Sequence, residues 1–157
     1  MTGVKSTIEV ARLVRAPVEH VWSVFTDLPA RAEVMSTVDS VEILSGDGFE
    51  IGTTWRETRT LRDAPVTETL RVVALDPSSY SCVIESRGDD EEYRTTYQFI
   101  PRNGHTRARV RFSTALPERL SSRVLVVFFG GMVTRVIEGA LRQDLSDLAA
   151  AIETAAA

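Results

Sequence analysis

Hydrophobic positions along this chain change their period three times. Ile8 and Val10, and after Ala11 Leu13, keep a partly alternating, extended pattern as far as Ala16. Pro17 suits the first position of a helix, where no amide donor is needed, and Val18, Val21, Trp22 and Phe25 follow at helical spacing. Glu19, His20 and Ser23 fall off that stripe. Asp27, Leu28 and Pro29 interrupt the helix, and 29–35 predicts a second short one before the chain extends again over 38–44. From there to Phe112 the spacing predicts strands only. Trp55, Glu57, Arg59 and Leu61 share one face of a strand over 53–62. The strand over 66–75 has an undecided facing, because Leu70 and Val72 compete with Val73 and Leu75 for the inside. After a strand over 80–87, Tyr93, Thr95, Tyr97 and Phe99 share a face of the next, and Asn103-Gly104 marks a tight hairpin. In the last strand Arg107, Arg109 and Arg111 oppose Ala108, Val110 and Phe112. From about Glu118 the pattern is helical, interrupted at Gly130-Gly131, and Ile137, Leu141, Leu145, Leu148 and Ile152 make one continuous closing stripe.

One long helix covers a long antiparallel sheet only where the sheet curls around it, and the space left between them becomes a pocket. The order of elements therefore predicts an α+β container. Its 157 residues match a single domain, 1–157, with no repeat or linker. A net charge of −4 argues against general affinity for phosphate backbones or anionic lipid, so nucleic acid is excluded as an expected partner. The first residues carry no apolar run of signal-peptide length, and no run reaches the roughly 20 apolar residues of a spanning helix. The expectation is a cytoplasmic protein without stable membrane insertion. Cys82 is the single cysteine, so no internal disulfide forms and no cysteine-based zinc site is available.

Several segments together resemble the SRPBCC (START-like) superfamily, and within it the polyketide cyclase/dehydrase and lipid-transport group. They are Arg15-Ala16-Pro17-Val18-Glu19-His20-Val21-Trp22-Ser23-Val24-Phe25-Thr26-Asp27, Gly52-Thr53-Thr54-Trp55-Arg56-Glu57-Thr58-Arg59, Leu75-Asp76-Pro77, and Asp144-Leu145-Ser146-Asp147-Leu148. The resemblance spans nearly the whole chain and implies a helix-grip fold. That is a seven-stranded curved antiparallel sheet around a long C-terminal helix, with two short helices after the first strand and a hydrophobic cavity inside. It implies no single reaction, since fold does not settle function.

Among candidate site residues, Glu57 and Arg59 share a face with Trp55 and Leu61. Turned inward, they form either a polar anchor for a ligand or a structural ion pair, because a buried charge must be paired. Tyr93, Thr95, Tyr97 and Phe99 supply aromatic walls with polar tips, or ordinary core. The expected cavity wall is Trp55, Glu57, Arg59, Tyr80, Tyr93, Thr95, Tyr97 and Phe112, closed by Met132, Val133 and Ile137 of the final helix. His20 and His105, the two histidines, have no partner in sequence and read as surface positions. Cys82 alternates with Tyr80 and Ile84 and reads as a packed thiol. Gly46-x-Gly48-x-x-x-Gly52 is spaced one residue too long for a dinucleotide fingerprint and precedes a strand, so it reads as a loop. Asp89, Asp90, Glu91 and Glu92 read as a solvated hairpin tip, and no metal or cofactor is expected. Arg107, Arg109 and Arg111 read as a wet face paired with acids such as Glu85 and Glu92. Asp144, at the edge of the closing stripe, reads as a helix-surface acid. The run Val124, Leu125, Val126, Val127, Phe128, Phe129, Gly130, Gly131, Met132 and Val133 is apolar around its circumference, which predicts contact with a ligand, a second subunit in a homodimer or a membrane surface.

Three functions fit these residues. The first is a binding protein for a small hydrophobic molecule such as a lipid, an isoprenoid or an aromatic polyketide. The second is a polyketide cyclase/dehydratase in the same cavity, with Glu57, Arg59 or a tyrosine moving protons. The third is an adaptor that binds a protein partner through residues 124–133.

Overall fold

The structure, a computed structural model, describes residues 5–61, 63–87, 92–115 and 131–155 and, of these, the side chains of all but 5, 6, 115, 131–134 and 155. Strand β1 (Lys5–Val14) leads into helix α1 (Val18–Phe25), a 3-10 turn (Leu28–Ala30) and the short α2 (Arg31–Val34). Six further strands follow: β2 (Val38–Ser45), β3 (Thr54–Leu61), β4 (Ala64–Asp76), β5 (Ser81–Arg87), β6 (Glu92–Arg102) and β7 (His105–Ala115). Helix α3 (Gly131–Ala155) closes the fold. All seven strands join one antiparallel sheet in the order β1-β7-β6-β5-β4-β3-β2, the helix-grip arrangement expected. Among the described residues no helix is long and apolar enough to cross a membrane.

Local chemistry accounts for the turns. Asn103 and Gly104 both have positive φ, 50° and 82°, and Arg102 pairs with His105, so β6 and β7 are joined by a two-residue loop that matches strand twist. Gly46 sits at φ +105° against Thr53, whose hydroxyl donates to the Gly48 carbonyl at 2.7 Å. The three glycines are thus loop geometry, as expected.

The undecided facing of β4 has a physical answer. The pairing with β5 shifts register between Val72 and Ala74, so the strand bulges and changes face partway along. Leu70 and Val72 are buried before the bulge, and Leu75 packs on the core after it, opposite the buried Cys82. In β1 the alternation runs evenly to Val14, which is buried, so Leu13 points outward and is 51% exposed rather than joining the inner face. On the outer face Arg109 and Arg111 both bind Glu9 of β1, at 2.8 and 3.1 Å. Glu85 is not their partner, because β6 stands between β5 and β7; it pairs with Arg87 and Arg94 instead.

Helix α3 packs against β1, α1 and α2. Its C-terminal half is core: Leu145, Leu148, Ala149 and Ile152 are buried with Val10, Val14 and Val21. Farther toward its N-terminus, Ile137, Ala140, Leu141 and Asp144 face an internal space instead.

Candidate functional site

The inside of the sheet is divided into a packed aromatic end and an open end. Trp22 meets Phe25, Phe49, Tyr80 and Phe99 at ring separations of 6.0–6.3 Å, and Phe49 reaches Trp55 at 6.4 Å. Phe25 sits 5.0 Å from Phe99 and 4.6 Å from Tyr97, which marks the boundary. Beyond Tyr97 lies a cavity of about 660 Å³, within the size range of small-molecule sites. Leu70, Ile84, Ile137 and Leu141 give it apolar walls, and Tyr93 stacks on Phe112 at 5.2 Å along one side.

Tyr93, Thr95, Tyr97, Phe112, Ile137, Glu57 and Arg59 all line this space. Trp55 and Tyr80 do not: both belong to the aromatic end, Trp55 fully buried and Tyr80 at the left-handed residue after the turn Pro77–Ser79. Alternation gives the face of a strand but not how far along it the cavity begins. Met132 and Val133 lie in α3 with their side chains outside the described residues, as do residues 116–130 altogether. The 124–133 run and the Gly130-Gly131 interruption therefore fall outside it, except for the helical backbone from Gly131, and so do Asp89, Asp90 and Glu91.

At the boundary four charges form one chain of contacts. Arg31 Nε donates to Glu57 Oε1 at 2.5 Å, and Arg59 Nε donates to Glu57 Oε2 at 2.7 Å. Trp55 Nε1 donates the carboxylate's third bond, to Oε1 at 3.3 Å. Arg59 Nη1 then reaches Asp144 Oδ2 at 2.9 Å and donates to Thr37 Oγ1 at 3.0 Å, while the Thr37 hydroxyl donates to Asp144 Oδ1. Exposures of 1% for Glu57, 3% for Arg31 and 4% for Asp144 put these groups deep inside, where pairing rather than solvent stabilises them. Burial alone would raise the Glu57 carboxyl, but Arg31 and Arg59 overcome it and hold the pKa at about 2. At Asp144 burial wins over Arg59 and Arg31, and the carboxyl is raised above its ordinary value. Burial pushes the Tyr97 phenol up to about 12, so it stays a protonated donor at neutral pH.

Asp144 is thus a buried cavity acid, not a helix-surface one. Neither it nor Arg31 was among the expected site residues, although each carries a signal: Arg31 falls on the stripe of buried Leu28 and Met35, and Asp144 on that of Leu141 and Leu148. A charge at helical spacing among apolar positions is the pattern that finds them. Cys82 is buried, and burial pushes its thiol up to about 12, which leaves no thiolate nucleophile. His105 is exposed and His20 half-buried on α1. Among the described residues no group of three or more His, Cys, Asp or Glu side chains is arranged to hold a metal ion.

A curved sheet gripping a helix around an apolar space with a charged floor defines a protein of the helix-grip fold. The model of the family described as polyketide cyclase / dehydrase and lipid transport matches residues 5–153, and the chain belongs to that family. A search of curated proteins finds no match. Solved structures share the fold at low identity. The Zhui aromatase/cyclase from Streptomyces sp. R1128 is 18% identical with a TM-score of 0.80, over 96% of this chain and 94% of its own. A START superfamily protein from Mycobacterium smegmatis is 15% identical with a TM-score of 0.74, over 94% and 97%. Truncated norcoclaurine synthase from Thalictrum flavum is 14% identical with a TM-score of 0.77, over 97% and 96%.

Proposed function

We propose that this protein, as a single domain over 1–157, binds a small hydrophobic molecule, such as a lipid, an isoprenoid or an aromatic polyketide, in the cavity between the sheet and α3. The observation that carries this reading is the 660 Å³ space itself, left open by residues whose neighbours along the same strands are tightly packed. Interiors normally close to the density of organic crystals, so an unfilled volume of this size inside one sheet has a use beyond stability. Tyr93 and Phe112 supply stacked aromatic surface for a flat ligand, and the opposing aliphatic residues accept a chain. Native mass spectrometry of freshly purified protein tests this directly. A co-purified apolar adduct, or saturable displacement of an environment-sensitive dye by fatty acids or polycyclic aromatics, is the expected result. A protein that binds none of these removes the reading.

The cyclase/dehydratase reading is favoured by one observation, the ionic chain that meets the cavity beside the protonated Tyr97. It separates from simple binding by turnover: a poly-β-ketone substrate mimic should convert faster in the presence of the protein and slow when Tyr97 becomes Phe. The adaptor and homodimer readings rest on residues 124–133, of which only the helical backbone from Gly131 is described, and among the described residues nothing adds to them.

A further inference from the structure

Arg31 uses only Nε on Glu57; among the described residues its two terminal nitrogens donate to nothing. The Tyr97 hydroxyl likewise has no hydrogen-bond partner among the described residues. Thr114 Oγ1 is the one side-chain polar atom among the described residues that is both sealed from all space and unpartnered, so the Arg31 terminal nitrogens and the Tyr97 hydroxyl must open on the cavity they line. Their residues are 3% and 6% exposed. A donor that gives up water when a ligand fills this space and gains no acceptor costs about 1–3 kcal/mol, more for a charged group, so the ligand that fits here presents an acceptor to both donors.

The charge balance at this floor narrows what that acceptor is. Arg31 and Arg59 are already matched by Glu57 and Asp144, so the four groups sum to zero. An anion would add an uncompensated buried charge next to two carboxylates, and a cation would face two arginines. A neutral carbonyl has two lone pairs for two donors and adds no charge. We propose that the ligand is an apolar molecule bearing a neutral carbonyl oxygen at its inner end, held by the Arg31 terminal nitrogens and the Tyr97 hydroxyl. This rests on the binding reading above, and it excludes plain hydrocarbons, amines and carboxylates as preferred ligands.

A matched set of four probes tests it: 2-acetylanthracene, 2-ethylanthracene, anthracene-2-carboxylate and 2-(aminomethyl)anthracene, each titrated against wild type and Tyr97→Phe by dye displacement at pH 7.5. In wild type the ketone should bind about tenfold tighter than the ethyl compound, the scale of one well-formed hydrogen bond to a charged donor. Tyr97→Phe removes a hydroxyl with no partner among the described residues, so it should fold normally, bind the ethyl compound at least as tightly as wild type does and lose most of the preference for the ketone. Arg31→Lys, which keeps the charge but loses the fork, should lose that preference too. Equal wild-type affinity for ketone and ethyl compound, an unaltered preference in Tyr97→Phe, or tighter binding of the carboxylate or the amine would each overturn the carbonyl anchor while leaving the cavity as a binding site. No binding by any of the four would remove the binding reading and the anchor together.

Discussion

Glu57→Gln is the perturbation that most directly probes the buried ionic chain. The carboxylate is 1% exposed and is the one acceptor shared by Arg31, Arg59 and Trp55. Neutralising it leaves Arg31 buried with no paired carboxylate and Arg59 with Asp144 alone. Breaking a buried pair from one side costs about 3–5 kcal/mol. The depression of the carboxyl gives a figure of the same order: a group held at about 2 in the folded state, against an ordinary 4.5, corresponds to about 3 kcal/mol at neutral pH. The two routes agree in magnitude. At roughly 2–4 °C per kcal/mol for a chain of this size, the melting temperature should fall by about 10 °C.

The sign of the pH dependence follows from the same depression. Because the folded pKa lies below the unfolded one, Glu57 contributes its full stability above about pH 4.5 and loses it as pH falls towards 2. Urea unfolding of wild type and Glu57→Gln at pH 7, 5, 4 and 3 should therefore show two stability curves that converge as the solution becomes acid. The double variant Glu57→Gln/Arg31→Met should recover part of the loss at pH 7, since it removes the stranded charge as well. A loss below about 1 kcal/mol at pH 7, or a gap that stays constant down to pH 3, would refute the reasoning that this pair is both buried and mutually stabilised.

Asp144→Asn should destabilise less than Glu57→Gln in the same unfolding assay, because burial outweighs its arginines at Asp144 whereas the arginines win at Glu57; a larger loss at Asp144 would reverse that ranking. Gly46→Ala should cost about 1–3 kcal/mol, since an added Cβ would stand 2.5 Å from Thr53 Oγ1 and 2.9 Å from its Cα at a left-handed φ, and an unchanged urea midpoint would contradict this. The Cys82 thiol, buried and pushed up to about 12, should not react with a thiol-specific disulfide reagent until the protein is unfolded in denaturant, and stoichiometric labelling of the native protein would show otherwise.

Much of this architecture is written in local periodicity. The alternation at Tyr93, Thr95, Tyr97 and Phe99, the helical stripe from Ile137 to Ile152, and Asn103-Gly104 between two strands each specify an element from neighbouring residues alone, and the elements assemble as their order predicts. The inward facing of Glu57 and Arg59 follows from the same rule, because a strand that turns Trp55 inside turns every second residue with it. What tertiary structure alone decided lies in contacts between residues far apart in the chain. Arg31 and Glu57 are 26 positions apart and Arg59 and Asp144 are 85 apart, so no local pattern could show that α2, β3 and α3 bring four charges to one point. Trp55 and Tyr80 went to the aromatic end rather than the cavity because the curvature of the sheet and the seating of Phe49 set where packing stops, and period carries no information about position along a strand. The facing of β4 was undecidable for a related reason. A bulge costs one extra residue in one strand, which both hydrophobic registers of that strand accommodate, and only pairing with β5 selects where it falls.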